Sequence, residues 1–189
     1  MSRGLGDVYK RQVVEADREH YAFQAPYVLL PDMASHDITD SLIEENYFPI
    51  LPISLGLTVT GEGSGGTVTE LLTTSDAAFS KAAGYDLSTY EKEEGDVNGP
   101  FALAVAISDT VDDGITSDIV WVSSAALVDD QTNTQVSGGN QDFFLNALGY
   151  LCQAEQSSLS IHAKSLSSDT LTMDSAAVSA LTVAVVGVI

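Results

Sequence analysis

The chain reads as an α/β domain that mixes an antiparallel strand pair with helices and ends in a hydrophobic helix. Three observations predict this. Two apolar runs, "FALAVAI" and "SDIVWVSSAAL", have strand character and are joined by only ten residues, fewer than a parallel crossover ordinarily needs, so they should pair antiparallel. "GGNQDFFLNALGYLCQ" carries apolar residues at helical spacing. The last fifteen residues, 175–189, contain no charge.

Residues 2–12, "SRGLGDVYKRQ", resemble an in-frame translation of a transposase adapter used to prepare sequencing libraries. Segments of that origin are set aside in fold reasoning, and no apolar stretch follows that would make this one a signal peptide. Removing Arg3, Lys10, Arg11 and Asp7 from 7 basic and 27 acidic residues leaves 4 and 26, a net charge of −22 in place of −20. Such a surface repels phosphates and anionic headgroups, so no nucleic-acid partner is expected. An apolar content of 44% is enough to build a core. The lone cysteine, Cys152, lies in an apolar run and is expected as a small buried thiol, with no intramolecular disulfide or cysteine-based metal cluster.

In chain order, Val13-Val14 ends a strand, and Tyr27-Val28-Leu29-Leu30 forms a short buried one closed by Pro31. Ile38, Leu42 and Ile43 predict a helix over 36–45, with Ser35 or Asp37 capping its first turn. Residues 48–51 should be extended, and Pro49 and Pro52 favour an edge strand. "GEGSGG" is a loop without the Gly-Lys-Ser/Thr ending of a phosphate loop. A strand follows at 68–73, with Thr74, Ser75 and Asp76 at its carboxyl end. Residues 81–100 have no apolar periodicity and predict a long surface loop or poorly ordered excursion. After strands at 101–107 and 118–123, with an acidic loop over 108–117 between them, Asn140 should cap a helix. Its apolar stripe is Phe143, Phe144, Ala147, Leu148 and Leu151, and Asn146 lies on a different face. Short strands at 159–163 and 169–173 precede 175–189, which is apolar on every face and shorter than the roughly 20 residues of a spanning helix. That segment reads as a truncated transmembrane helix, the alternative being a buried helix or interface strand.

Little points to catalysis. The aspartates of 108–117 lack the register of a calcium loop. His20, His36 and His162 are far apart, and no His-Glu-x-x-His, Cys-x-x-Cys or Gly-x-Ser-x-Gly pattern occurs. Ser123-Ser124 follows a strand as a nucleophile turn would, but without flanking glycines. No catalytic residue, metal or cofactor is assigned.

The ordered signals "PYVLLPDMASHDIT", "VTELLTTSDAAF", "FALAVAI", "IVWVSSAALVDD" and "GGNQDFFLNALGYL", followed by a polar strand pair and an apolar end, resemble the GldG-type auxiliary component of ABC transporters. The resemblance implies a partial flavodoxin-like or glutamine-amidotransferase-like layered sheet over 13–173, without that fold's catalytic apparatus, and a membrane helix beginning at 174. It implies a domain on the extracytoplasmic side of the cell membrane that works through permease and ATPase subunits. The family's motif residues fall on Pro31 and His36, on Thr74, Ser75 and Asp76, and on Asn140 and Asn146. Strand ends in open α/β sheets are where ligands bind. His36, Ser75, Asp76, Ser123, Ser124 and Asn146 are therefore the candidate ligand or partner contacts, with His36 also expected as a hydrogen-bonding residue at the helix start. Two other classes stay open: a soluble amidotransferase-like enzyme, which would need a nucleophile on a strand-to-helix turn facing a histidine, and an acidic surface binding module.

Overall fold

The computed structural model describes residues 11–59, 66–83, 88–112 and 115–152. The expected strands at 159–163 and 169–173, His162 and the apolar segment 175–189 lie outside the described residues, as does most of "GEGSGG". Among the described residues no helix is long and apolar enough to cross a membrane.

The chain forms a mixed α/β domain whose described strand pairings are all antiparallel. Nine strands are present among the described residues: β1 (Val13–Val14), β2 (Val28–Leu29), β3 (Asp32–Met33), β4 (Leu51–Pro52), β5 (Thr67–Thr73), β6 (Phe79–Ser80), β7 (Val97–Asn98), β8 (Ala102–Asp112) and β9 (Ile115–Val122). They form a four-stranded sheet in the order β3-β5-β8-β9, a three-stranded sheet β1-β6-β7 and the pair β2-β4. The α-helices among the described residues are α1 (Asp40–Glu45), α2 (Asp130–Gln135) and α3 (Gly139–Leu151). A flavodoxin-like layering rests on parallel strands joined by crossover helices, and the described pairings contain no parallel pair.

The β8–β9 hairpin is the antiparallel pair expected from the short connection. It is longer than expected, because the ladder runs on through Ser108↔Asp118, Asp109↔Ser117 and Thr110↔Thr116. The predicted acidic loop over 108–117 is therefore mostly strand. Thr110, Thr116 and Ser117 are exposed there, where polar side chains can stay in water. β8 is buried on both faces over residues 102–106. Its alternation sets Ala104, Ala106 and Ser108 beside Val122, Val120 and Asp118. Tyr150 of α3 packs against the same core cluster as Val120 and Val122, and its phenol lies near Asp118, so α3 lies over this face. In β5 the register shifts between Glu70 and Leu72. This bulge turns both Leu71 and Leu72 into the core, where neither is exposed.

α1 is shorter than the predicted 36–45. The turn before it is already helix-like, since Asp40 N–H donates to His36 C=O and Ile43 N–H to Thr39 C=O. Neither Ser35 nor Asp37 caps it. Instead the Asp40 carboxylate reaches back to the His36 N–H and the Ser35 hydroxyl. At α3 the cap is Gly138, at φ 97°, rather than Asn140. Gly138 supplies a left-handed conformation that costs glycine little. Its neighbour Gly139 approaches so closely that a Cβ there would meet the Phe48 carbonyl oxygen at 2.8 Å.

Freed from capping, Asn140 is fully buried and acts as a strand substitute. Its Oδ1 accepts from Ile50 N–H at 2.8 Å, while Nδ2 donates to Ile50 C=O at 2.9 Å and to Leu127 C=O at 3.3 Å. Of the predicted stripe, only Phe143 and Ala147 enter the core; Phe144, Leu148 and Leu151 face solvent. Cys152 is exposed as well, correcting the expected buried thiol. It follows Leu151 at the end of α3, roughly half a turn around the helix from Phe143 at 100° per residue.

Candidate functional site

The six candidate residues fall in three places. His36 and Asn146 come together, 110 positions apart in sequence, around the peptide of Ile38. His36 Nδ1 accepts from Ile38 N–H at 3.2 Å, and Asn146 Nδ2 donates to Ile38 C=O at 3.0 Å and to Ser41 Oγ at 2.9 Å. The His36 ring meets Tyr150 edge-on, with centroids 5.0 Å apart. Burial, followed by the nearby Asp118 and Asp37 carboxylates, raises the Tyr150 phenol above its ordinary pKa, which keeps its proton available for donation. His36 thus has the helix-start hydrogen bond expected of it, and Asn146 ties α3 to α1.

Ser75 sits at the corner after β5. Its hydroxyl donates to Glu15 Oε1 at 2.8 Å, and its N–H donates to Oε2 at 3.2 Å. Glu15 is 1% exposed and also accepts from Asp17 N–H at 3.0 Å. Ser75 Oγ in turn accepts from Ala77 N–H. The buried carboxylate is therefore met by three donors, as a buried charge requires, and the serine is committed to closing the turn. Asp76 follows it, exposed.

Ser123 and Ser124 leave β9 at the same end of the sheet. Ser123 N–H donates to Leu103 C=O, while Thr74 N–H donates to Phe101 C=O, so these two corners flank the start of β8. Ser124 caps a 3-10 turn over Ala125–Val128 through Ala126 N–H, and its hydroxyl donates to Pro52 C=O. Ser123 Oγ is buried without a hydrogen-bond partner. Four of the candidates thus share one sheet end; His36 and Asn146 do not join them.

Sequence reasoning missed a charged cluster in the stretch expected to be a loose loop. Lys81 has a side chain with no exposure, and its ammonium reaches Glu91 C=O at 2.7 Å, Glu93 Oε2 at 2.7 Å and Asp96 Oδ2 at 3.1 Å. Asp96, itself 2% exposed, also accepts from Ala82 and Glu93 N–H. Burial by itself would lower the Lys81 pKa, but the Glu93 and Asp96 carboxylates more than reverse it and hold it above the ordinary value. For Asp96, burial pushes upward and is overcome by the two backbone donors and the Lys81 ammonium, leaving the carboxyl below its ordinary value. The sequence around Lys81 gives no hint, since its neighbours are Ser80 and Ala82 and the acidic residues it meets come ten or more positions later.

The remaining outward features are apolar. Phe144, Leu145, Leu148 and Leu151 are 38–51% exposed along one side of α3, whose sole charged residue is Asp142. On β9, an edge of the four-stranded sheet, Ile119 and Trp121 are 51% and 56% exposed. They point away from the face that α3 covers. Among the described residues no group of three His, Cys, Asp or Glu side chains is placed to hold a metal ion.

No family model matches the chain, and neither a curated protein nor a solved structure matches it.

Proposed function

We propose that this chain is a non-catalytic auxiliary component of an ABC transport system, as its GldG-type resemblance implies. In this reading the domain lies on the extracytoplasmic side, its sheet is part of a larger flavodoxin-like or amidotransferase-like layer, and segment 174–189 enters the membrane. It acts by contact with the permease and ATPase subunits.

The observation that carries the reading is the uncharged apolar side of α3. In a chain of net charge −20, four large apolar residues exposed on one helix face form a surface suited to protein contact. The polar candidates support it in a second way, because most of their hydrogen bonds hold backbone in place. The test is recovery of the neighbouring genes, followed by co-expression of the full chain with an ATPase and permease found there. Co-purification that is lost in Leu145→Ser/Leu148→Ser, with unchanged thermal stability, supports the proposal. Failure to associate, or an open reading frame that continues past Ile189 as polar sequence, overturns it.

Exposed Trp121 favours the surface-binding-module alternative, since an accessible indole can stack on a sugar or peptide. Trp121 is the only tryptophan, so its fluorescence reports binding directly. A saturable change with glycan or peptide, in the absence of transporter subunits, would select that reading.

A further inference from the structure

Residues 20–30 form a narrow hairpin. Leu30 N–H donates to His20 C=O at 2.8 Å, Tyr21 bridges Leu29, and Ala22 N–H donates to Val28 C=O at 2.9 Å. At its tip, Ala25 N–H closes a turn on Ala22 C=O, and the central residues Phe23 and Gln24 both have left-handed φ, 56° and 57°. Turns with two such residues favour Asn-Gly or Asp-Gly. For Phe and Gln the conformation costs on the order of 1 kcal/mol or more each, so something must hold it. Phe23 is meanwhile 61% exposed.

The second strand of the hairpin is β2, fixed by its pairing with β4 and by the Glu15 N–H to Pro26 C=O and Ile53 N–H to Tyr27 C=O bonds; the first strand, residues 20–22, has its own holding group at the base. His20 ends a 3-10 turn, Arg18–His20, that is capped by Asp17. Asp17 Oδ1 accepts from Glu19 N–H, which leaves Oδ2 3.2 Å from His20 Nδ1. On the other side, His20 Nε2 lies 3.3 Å from Oδ2 of Asp32 in β3. A neutral imidazole has one N–H and one lone pair, so in either tautomer one carboxylate oxygen would face a lone pair. Only the imidazolium suits both neighbours. Nδ1 is buried and lacks any hydrogen bond of good geometry, which makes its charge the source of its attraction to Asp17.

We propose that His20 is a proton-operated clasp: its imidazolium, held between Asp17 and Asp32, fixes the first strand of the 20–30 hairpin against β2, and loss of the proton loosens residues 20–22 and the Phe23 that follows them. The charged groups around the ring are Asp17 in its own turn, Asp32 on β3 and buried Glu15 just after β1, with the Arg18 guanidinium directed over Tyr21 instead. Burial lowers the ring's pKa, and the Asp32, Glu15 and Asp17 carboxylates more than restore it, so it stands above the usual histidine value. A raised folded-state pKa adds stability that is fully present below the unfolded value of about 6.5 and is lost as pH rises through the folded pKa. The clasp therefore holds in mildly acidic conditions and opens on the alkaline side.

The experiment is an NMR titration of the histidines in the full chain, assigned with His20→Gln, together with amide-exchange protection of Leu30. The expected result is a His20 pKa above about 6.5 that falls in Asp17→Asn and Asp32→Asn. Leu30 protection should decline about threefold as pH passes through that pKa, the scale of a partly exposed ion pair. His20→Lys, charged throughout, should keep the higher protection across the range, and His20→Gln should show the roughly threefold lower level throughout. A His20 pKa at or below the unperturbed value, or Leu30 protection in His20→Gln equal to that of the parent at every pH, overturns the proposal.

Discussion

Two charged clusters in this domain use the same chemistry in opposite settings. At Lys81 the cation has no exposed side-chain surface and its ammonium meets three acceptors, one from a carboxylate that is 2% exposed. At His20 the cation is 21% exposed, and its two carboxylates are 41% and 67% exposed. Water can replace what His20 loses but not what Lys81 loses. Burial, rather than the number of charges, therefore decides which cluster is a permanent staple and which can respond to conditions.

The largest expected effect tests the buried member. Lys81→Met leaves Asp96 buried beside no cation and should cost about 3–5 kcal/mol, measured by chemical denaturation. Lys81→Met/Asp96→Asn should cost less than Lys81→Met alone, because the uncompensated charge has gone. Equal loss in both would mean that lysine packing, not charge, joins Lys81 to residues 91–96.

Asn140 is a neutral counterpart, buried and fully engaged without any ion. Asn140→Leu strands the Ile50 N–H and two carbonyls and should cost about 3 kcal/mol, with no dependence on salt. Salt sensitivity there would blur the distinction between neutral and charged staples.

The two clusters also separate along the pH axis. Asp96 has a lowered pKa, so its contribution is present above the unfolded carboxylate value of about 3.9 and is lost as pH falls through the folded one. Lys81 has a raised pKa, so its contribution is present below about 10.4 and is lost only as pH rises past its folded value. The difference in stability between the parent and Lys81→Met should accordingly stay flat between about pH 6 and 9. Parent against His20→Gln should differ by less than about 1 kcal/mol, and mainly on the acidic side of that window.

The smallest effect on stability belongs to the exposed side of α3. Leu148→Ser should change the unfolding free energy by no more than about 0.5 kcal/mol, because the side chain is 42% exposed. A cost above 2 kcal/mol would place Leu148 in a core and remove it from the contact surface.

Much of the local structure was legible in the residues. Short connections between β-prone runs required the antiparallel β8–β9 hairpin, and helical spacing located α1 and α3. Capping was less legible, because Gly138 and Asn140 both suit an N-cap and the choice turned on whether Asn140 had a buried backbone to serve. The α3 stripe misled for a related reason. Periodicity identifies an apolar side, but α3 is apolar over more of its circumference than the sheet can cover.

The sequence by itself determined the strongly acidic surface, the principal strands and helices, and the turns imposed by proline and glycine, because these depend on composition and on neighbours a few positions away. The pairings of Glu15 with Ser75, Asn140 with Ile50 and His20 with Asp32, and the burial of Lys81, were decided only by the tertiary structure. The first three join residues 60, 90 and 12 positions apart. A polar side chain looks alike in sequence whether water or a distant backbone group will satisfy it, and only the folded chain places the partner within reach.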